Sequence, residues 1–194
     1  MFDDLEPIEA TKGRAVGREI CDWVEAIMMA VVSVVLIFAF VARISDVDGI
    51  SMMPTLEDQD RLVITRVAIG PRQGDVVVVT LPGRDSEPLV KRVIATEGQT
   101  IDVNSETGQV FVDGQELNEV YIAYFTQYDP GTPFPMAFPQ TVPEGHMFMM
   151  GDNRNFSWDS RDTRIGMVDN RHVLGRAIFR VFPFNRIGVL NDRR

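Results

Sequence analysis

The chain has 194 residues, a net charge of −9 and an apolar share of 45%, enough for one domain with a core plus an extra element. The negative balance excludes the clustered Lys and Arg that phosphate binding needs, so no nucleic-acid partner is expected. The single cysteine, Cys21, excludes an intrachain disulfide and a Cys-based zinc site, and no metal or cofactor is expected.

The first element is apolar. Residues 26–42 read AIMMAVVSVVLIFAFVA, without charge or helix breaker, and Trp23 and Val24 extend the run. At about 1.5 Å per residue such a run just crosses a hydrocarbon core of roughly 30 Å, and it lacks the polar stripe of a buried core helix. A cleaved signal peptide fits less well, because an acidic stretch of residues 1–25 precedes the run and no small-x-small site follows it. Lys12, Arg14 and Arg18 precede the run and Arg43 follows, which places the N-terminus in the cytoplasm and the bulk of the chain outside. The expected organisation is a cytoplasmic segment over 1–23, a single transmembrane helix over 24–42, and an extracytoplasmic β-rich domain over 43–194.

After Arg43 the pattern changes to short β-branched runs bounded by Gly, Pro, Asp or Asn: 61–68, 75–81, 89–95, 99–103, 108–114, 146–151 and 176–182. No stretch past residue 45 has helical periodicity. The expected fold is mostly β: an antiparallel sheet, partly closed into a barrel, behind the N-terminal helix. Residues 103–147 are expected to be a less regular insertion. Within it, 128–145 carries five prolines and cannot be a central strand. Residues 84–88 read as a polar tip. Phe134, Met136 and Phe138 either dip into a lipid interface or form a local packing cluster.

Three features could carry chemistry. Ser51 lies in Gly49-Ile50-Ser51-Met52-Met53-Pro54, Lys91 lies in Leu89-Val90-Lys91-Arg92-Val93-Ile94, and residues 151–161 read GDNRNFSWDSR. Each also has a plain reading: a turn hydroxyl, two cations reaching water from an edge strand, and a solvated loop. A nucleophilic serine needs a base, and histidine is the usual one. Only His146 and His172 are present, and neither has a distinctive context. A lysine held among apolar neighbours loses proton affinity and becomes a competent base near neutral pH. Serine–lysine pairing is a variant that works without histidine.

Taken together and in this order behind an apolar segment, these motifs resemble the type I bacterial signal peptidases. Val47-Asp48-Gly49-Ile50-Ser51-Met52-Met53-Pro54-Thr55-Leu56 resembles that family's nucleophile box, Lys91-Arg92-Val93-Ile94 its lysine box, and residues 151–161 its final box. The resemblance implies a membrane-anchored serine endopeptidase that cuts signal peptides from exported preproteins through an acyl-enzyme. It implies preproteins and membrane lipid as partners and a location in the cell membrane; the sequence does not give the oligomeric state, for which a monomer is the expectation. Ser51 takes the place of the nucleophile and Lys91 that of the base. Ser157 takes the place of the serine that aims the lysine amine. Asp159 and Arg161 take the place of a supporting ion pair. Gly49 stands where some members have a serine oxyanion donor, so the second donor here would be a backbone amide or water. Val47, Leu56, Leu62 and Val90 take the place of pocket residues for small substrate side chains.

The chain departs from the family pattern at Gln59-Asp60, where Gly-Asp is usual. It departs again at Ala95-Thr96-Glu97-Gly98-Gln99, at Phe156 and Trp158, and after Arg161. Two rivals are a self-cleaving repressor, which the acidic chain and apolar segment disfavour, and an anchored β module that binds a partner with a degraded site. A working pair requires the Ser51 hydroxyl within about 3.5 Å of the Lys91 amine.

Overall fold

The computed structural model describes residues 8–40, 42–65, 70–81, 87–104, 106–122 and 135–190, with the side chains of 8–16 and 37–40 excepted. The polar tip at 84–88 and Phe134 thus lie partly or wholly outside the described residues. The chain forms two units, Met1–Ala42 and Arg43–Arg194.

The first unit is one helix, α1, Ile8–Phe40, of 33 residues. It starts well before the apolar run and takes in most of the segment expected to precede it. Its described apolar side chains, among them Trp23, Ile27, Met28, Val31, Val34 and Val35, are all exposed. Among the described residues no helix is long and apolar enough to cross a membrane. The described side chains end at Leu36, and a stretch of spanning length that ends there takes in Glu19, Asp22 and Glu25.

The second unit is mostly β, as the short β-branched runs predict. Among the described residues twelve strands follow α1: β1 (Ala42–Asp46), β2 (Arg61–Thr65), β3 (Val76–Val79), β4 (Leu89–Thr96), β5 (Thr100–Val103), β6 (Val110–Val112), β7 (Gln115–Glu116), β8 (Gln140–Thr141), β9 (His146–Met150), β10 (Val168–Asp169), β11 (Val173–Phe182) and β12 (Gly188–Val189). The larger sheet runs β1-β2-β11-β3-β4-β9-β10 with β12 on β11, and the smaller runs β7-β6-β5-β8. The ladders that join β2, β11, β3, β4 and β9 are antiparallel. The larger sheet is open, with β1 and β10 at its edges, and register shifts in β11 and β4 bend it.

Period-2 alternation sorts the core. Val76 and Val78 of β3 enter one cluster with Val47, Met52, Leu56, Leu62, Ile64, Val90 and Ala177, whereas Val77 and Val79 enter another with Val93, Met147 and Met149. A third cluster joins Ile94, Phe148 and Met150 to Ile101, Val103, Val110 and Val112, and so binds the smaller sheet to the larger. Met136 and Phe138 pack on this third cluster, and Phe138 meets the Phe148 ring edge-on. For these two residues the packing reading is the correct one, because a proline-bounded apolar pair over an apolar cluster gains more from burial than from water. Between β5 and β9 the described residues hold strands of two or three residues.

The strand carrying Lys91 and Arg92 is central, between β3 and β9. Both side chains are therefore buried, at 3% and 2% exposed, and neither reaches water from an edge.

Candidate active site

Ser51 sits in the β1–β2 loop, whose ends are tied together. Val47 N–H donates to the Asp60 carbonyl at 2.8 Å and Gln59 N–H to the Val47 carbonyl at 2.9 Å. Met52 and Leu56, both fully buried, anchor the loop in the core. The Asp60 carboxylate, also fully buried, accepts from Arg180, Arg186 and the Glu57 amide. Gly49 has φ +85°, a conformation that only glycine adopts freely, and it turns the chain just before the serine. Its N–H is already given to Asp58 Oδ1 at 2.8 Å.

The Lys91 amine donates to the Ser51 hydroxyl at 2.7 Å and to the Val90 carbonyl at 3.1 Å. Burial pushes the lysine down, the charges of Asp159 and Asp152 pull it partly back, Arg161 pushes it down again, and it settles at about 8. The chain has only two lysines, Lys12 and Lys91, against seventeen arginines. An arginine stays charged at any working pH, so a lysine is the basic side chain that can be neutral at this position. Neither histidine hydrogen-bonds Ser51: His146 contacts the Glu144 carbonyl, and His172 lies in a short 3-10 turn.

The β9–β10 loop closes the other side. Asn153 N–H donates to the Ser51 carbonyl at 3.0 Å, and its side-chain amide donates to the Ile50 carbonyl at 3.1 Å. Gly151 is the contact point between the loops. A methyl group there would lie 2.3 Å from Ser157 Oγ and 2.4 Å from the Ser51 carbonyl oxygen. Asp159 and Arg161 pair through two hydrogen bonds of 2.8 and 2.9 Å, and the Gly151 N–H donates to Asp159 at 2.9 Å. Burial pushes the Asp159 carboxyl up, but Arg161 and these hydrogen bonds outweigh burial and hold it below the usual carboxylate range. Among the described residues no His, Cys, Asp and Glu group is arranged to hold a metal ion.

The sequence model of the family described as "Signal peptidase, peptidase S26" matches residues 20–182. The chain belongs to that family. A probable signal peptidase I-1 of Synechocystis is 40% identical over 86% of this chain and 84% of its own length. A signal peptidase I of Bacillus licheniformis is 35% identical over 86% of this chain and 90% of its own. A solved signal peptidase I from Enterococcus faecalis is 28% identical, with a TM-score of 0.44, over 57% of this chain and 98% of that one. The resemblance read from the three motifs is borne out, and the chain is a hydrolase of the serine peptidase class.

Within this signal peptidase fold the residues singled out from sequence occupy distinct places. Ser51 lies on the β1–β2 loop and Asp159 and Arg161 on the β9–β10 loop, while Lys91 reaches Ser51 from β4. Ser157 lies against Gly151, and its buried hydroxyl acts on the Asp159 carboxylate rather than on the Lys91 amine, which donates to Ser51 and Val90. Val47, Leu56, Leu62 and Val90 share one cluster, with Leu56 and Leu62 fully buried and Val47 and Val90 at 4% and 7% exposed. The departures prove local. Gln59 takes a left-handed φ of +67°, which explains why glycine suits that place better, and Gly98, at φ +79°, keeps its turn. Trp158 hydrogen-bonds Asp162, and Phe156 is 69% exposed.

The sequence reading passed over a buried ionic network. Arg92 pairs with Asp152 in two hydrogen bonds of 2.8 and 2.6 Å, Asp152 also accepts from Thr55, and Arg154 pairs with Glu119. The signal for Arg92 and Asp152 was present, since both lie inside the quoted motifs. Glu119 is distant in sequence, and nothing local marked it.

Proposed function

We propose that this chain removes N-terminal signal peptides from exported preproteins by a Ser51–Lys91 mechanism, while α1 anchors it in the membrane. The observation that carries the reading is the 2.7 Å contact between the Lys91 amine and the Ser51 hydroxyl, with the lysine buried and held at about 8. The neutral amine accepts the hydroxyl proton as the Ser51 oxygen attacks the substrate carbonyl carbon. The Ser51 backbone N–H faces the developing oxyanion. Gly49 can supply a second amide only by releasing Asp58, so water or another amide is the simpler second donor. The protonated lysine then gives its proton to the leaving amine, and the neutral lysine activates water that clears the acyl-enzyme. Asp159 and Arg161 brace the loop, and Ser157 comes to the lysine amine when substrate is bound. Val47 and Val90 form the rim of shallow pockets for small side chains, with Leu56 and Leu62 beneath them.

Membrane anchoring is supported by the exposed apolar side chains of α1 together with the uncharged run at 26–42. The K/R balance supports a cytoplasmic N-terminus with the β unit outside. An anchor at the bilayer surface raises the effective concentration of a substrate whose apolar segment lies in the same bilayer.

The test is cleavage of a model preprotein in vesicles. S51A and K91A should each abolish cleavage while the β unit stays folded, and full activity in either would end the reading. In the wild type the rate should rise with pH through about 8, because only the neutral lysine acts as base. A flat profile between pH 6 and 9 counts against Lys91. Rescue of a strain depleted of its own signal peptidase tests the substrate class.

A further inference from the structure

Three buried ion pairs brace β4 and the β9–β10 loop: Arg92–Asp152 and Arg161–Asp159, whose charges act on Lys91, and Arg154–Glu119. Their carboxylates are almost fully buried, with side chains 0%, 0% and 4% exposed. Two of the pairs lie inside the sequence motifs. The third joins the final motif to the segment after β7, residues 117–122, which has no place in the mechanism above. Glu119 takes two hydrogen bonds from Arg154 and one of 3.0 Å from the Tyr121 hydroxyl. The Tyr121 ring lies under the Arg92 guanidinium, 4.0 Å from centroid to carbon. Two residues of one segment therefore touch two of the three arginines.

Arg154 is well connected on its other side. Its Nε donates to the Gly151 carbonyl at 3.0 Å, and its own carbonyl accepts from Arg161 at 2.7 Å. Glu119 thus grips the loop that carries Asp159, and it does so through the residue that holds Gly151.

We propose that Glu119, supported by Tyr121, is a positioning residue for Lys91: it neutralises Arg154 and fixes the loop so that the charges around the lysine stay balanced. The inference rests on the reading of Lys91 as the base. The charged groups that act on Lys91 are Asp159 and Asp152, which favour its protonated form, and Arg161, which opposes it. Arg92 follows it in the chain and is paired with Asp152. Each arginine of the network is matched by a carboxylate, and burial, the largest effect on Lys91, outweighs the charges of Asp159 and Asp152. Loss of the Glu119 charge leaves Arg154 unpaired in the field of Asp159. The net positive charge then disfavours protonated Lys91.

The test uses the full chain in detergent. Its two lysines make selective labelling simple, because 13Cε-lysine gives one signal from Lys12 and one from Lys91. In E119Q the Lys91 signal should titrate at least about 0.5 unit lower than in the wild type, and the rising limb of the cleavage rate should move by the same amount. E119D, which keeps the charge, should restore most of the wild-type value. The double variant E119Q/R154Q removes both charges and the unpaired buried guanidinium, so it serves even if E119Q alone fails to fold. Its Lys91 should titrate as in the wild type. An unmoved Lys91 in folded E119Q, or a shifted one in the double variant, overturns the proposal. A lower rate with an unchanged pH profile means a merely structural role and overturns it as well. A wild-type Lys91 that titrates near 10.5 would sink the base assignment, and the difference between wild type and E119Q would still judge Glu119.

Discussion

The two loops that meet at the site are held by opposite means. The β1–β2 loop delivers Ser51 mainly through apolar anchors, Met52 and Leu56, with one buried carboxylate, Asp60, at its foot. The β9–β10 loop has almost no apolar anchor near Lys91. It is held by Asp152, Arg154, Asp159, Ser160 and Asp162, all buried, and by the hydrogen bonds they make. On the proposed mechanism the division follows from the two tasks. A nucleophile needs position, which close packing supplies in every direction. A base needs a set proton affinity, which only nearby charge and burial can tune.

Gly151 is where the two regimes touch, and the largest effect is expected there. G151A forces a methyl group into the Ser51 carbonyl and Ser157. Cleavage should fall by about a hundredfold or more, because a displacement of about 1 Å at a reacting group costs that much. Near-normal kcat/KM in G151A would show that the loops are not rigidly registered.

D159N tests the charged side. It leaves the Arg161 guanidinium without its partner, and stability should fall by about 3–5 kcal/mol in denaturant titrations near pH 7. Asp159 has its carboxyl lowered in the fold. Its contribution is therefore complete above the usual aspartate range and is lost as the pH falls through the lowered value, so the gap between D159N and the wild type should narrow on acidification. A gap that stays constant down to pH 2 would mean that the charge is not what holds the loop.

M52A tests the apolar side. Met52 is fully buried, and its truncation should cost about 2–5 kcal/mol with no dependence on pH. The rising limb of the rate near pH 8 should stay in place, since no charge near Lys91 changes. A moved limb would blur the division between the loops.

Q59G is the mildest. Gln59 sits at φ +67°, and glycine there relieves the left-handed strain, with a gain of about 1 kcal/mol in thermal or denaturant unfolding. A loss would mean that the Gln59 side chain has contacts that outweigh the strain.

Legibility in the sequence varied with how local the cause was. Strands β2 to β6, β9 and β11 could be read because β-branched runs bounded by turn residues report their own conformation. Strands β7, β8, β10 and β12 could not, since two residues carry no pattern and exist only through a neighbour's ladder. The burial of Arg92 was hidden for a related reason. Whether a strand is edge or central depends on which segments come to lie beside it, and β4 is central because β9 returns from fifty residues further along.

The chain by itself determined the order of its motifs, the apolar run, the mostly β character and the scarcity of histidine and lysine, all of which are properties of composition and local spacing. These properties made Ser51 and Lys91 candidates, and the resemblance of the ordered motifs to the family assigned them their roles. The tertiary structure decided the 2.7 Å separation between them, the burial that lowers the lysine, and the third ion pair through Glu119. Each of these depends on which distant segments meet, and proton affinity in particular is set by the sum of surrounding charges and lost water, which no local stretch of sequence carries.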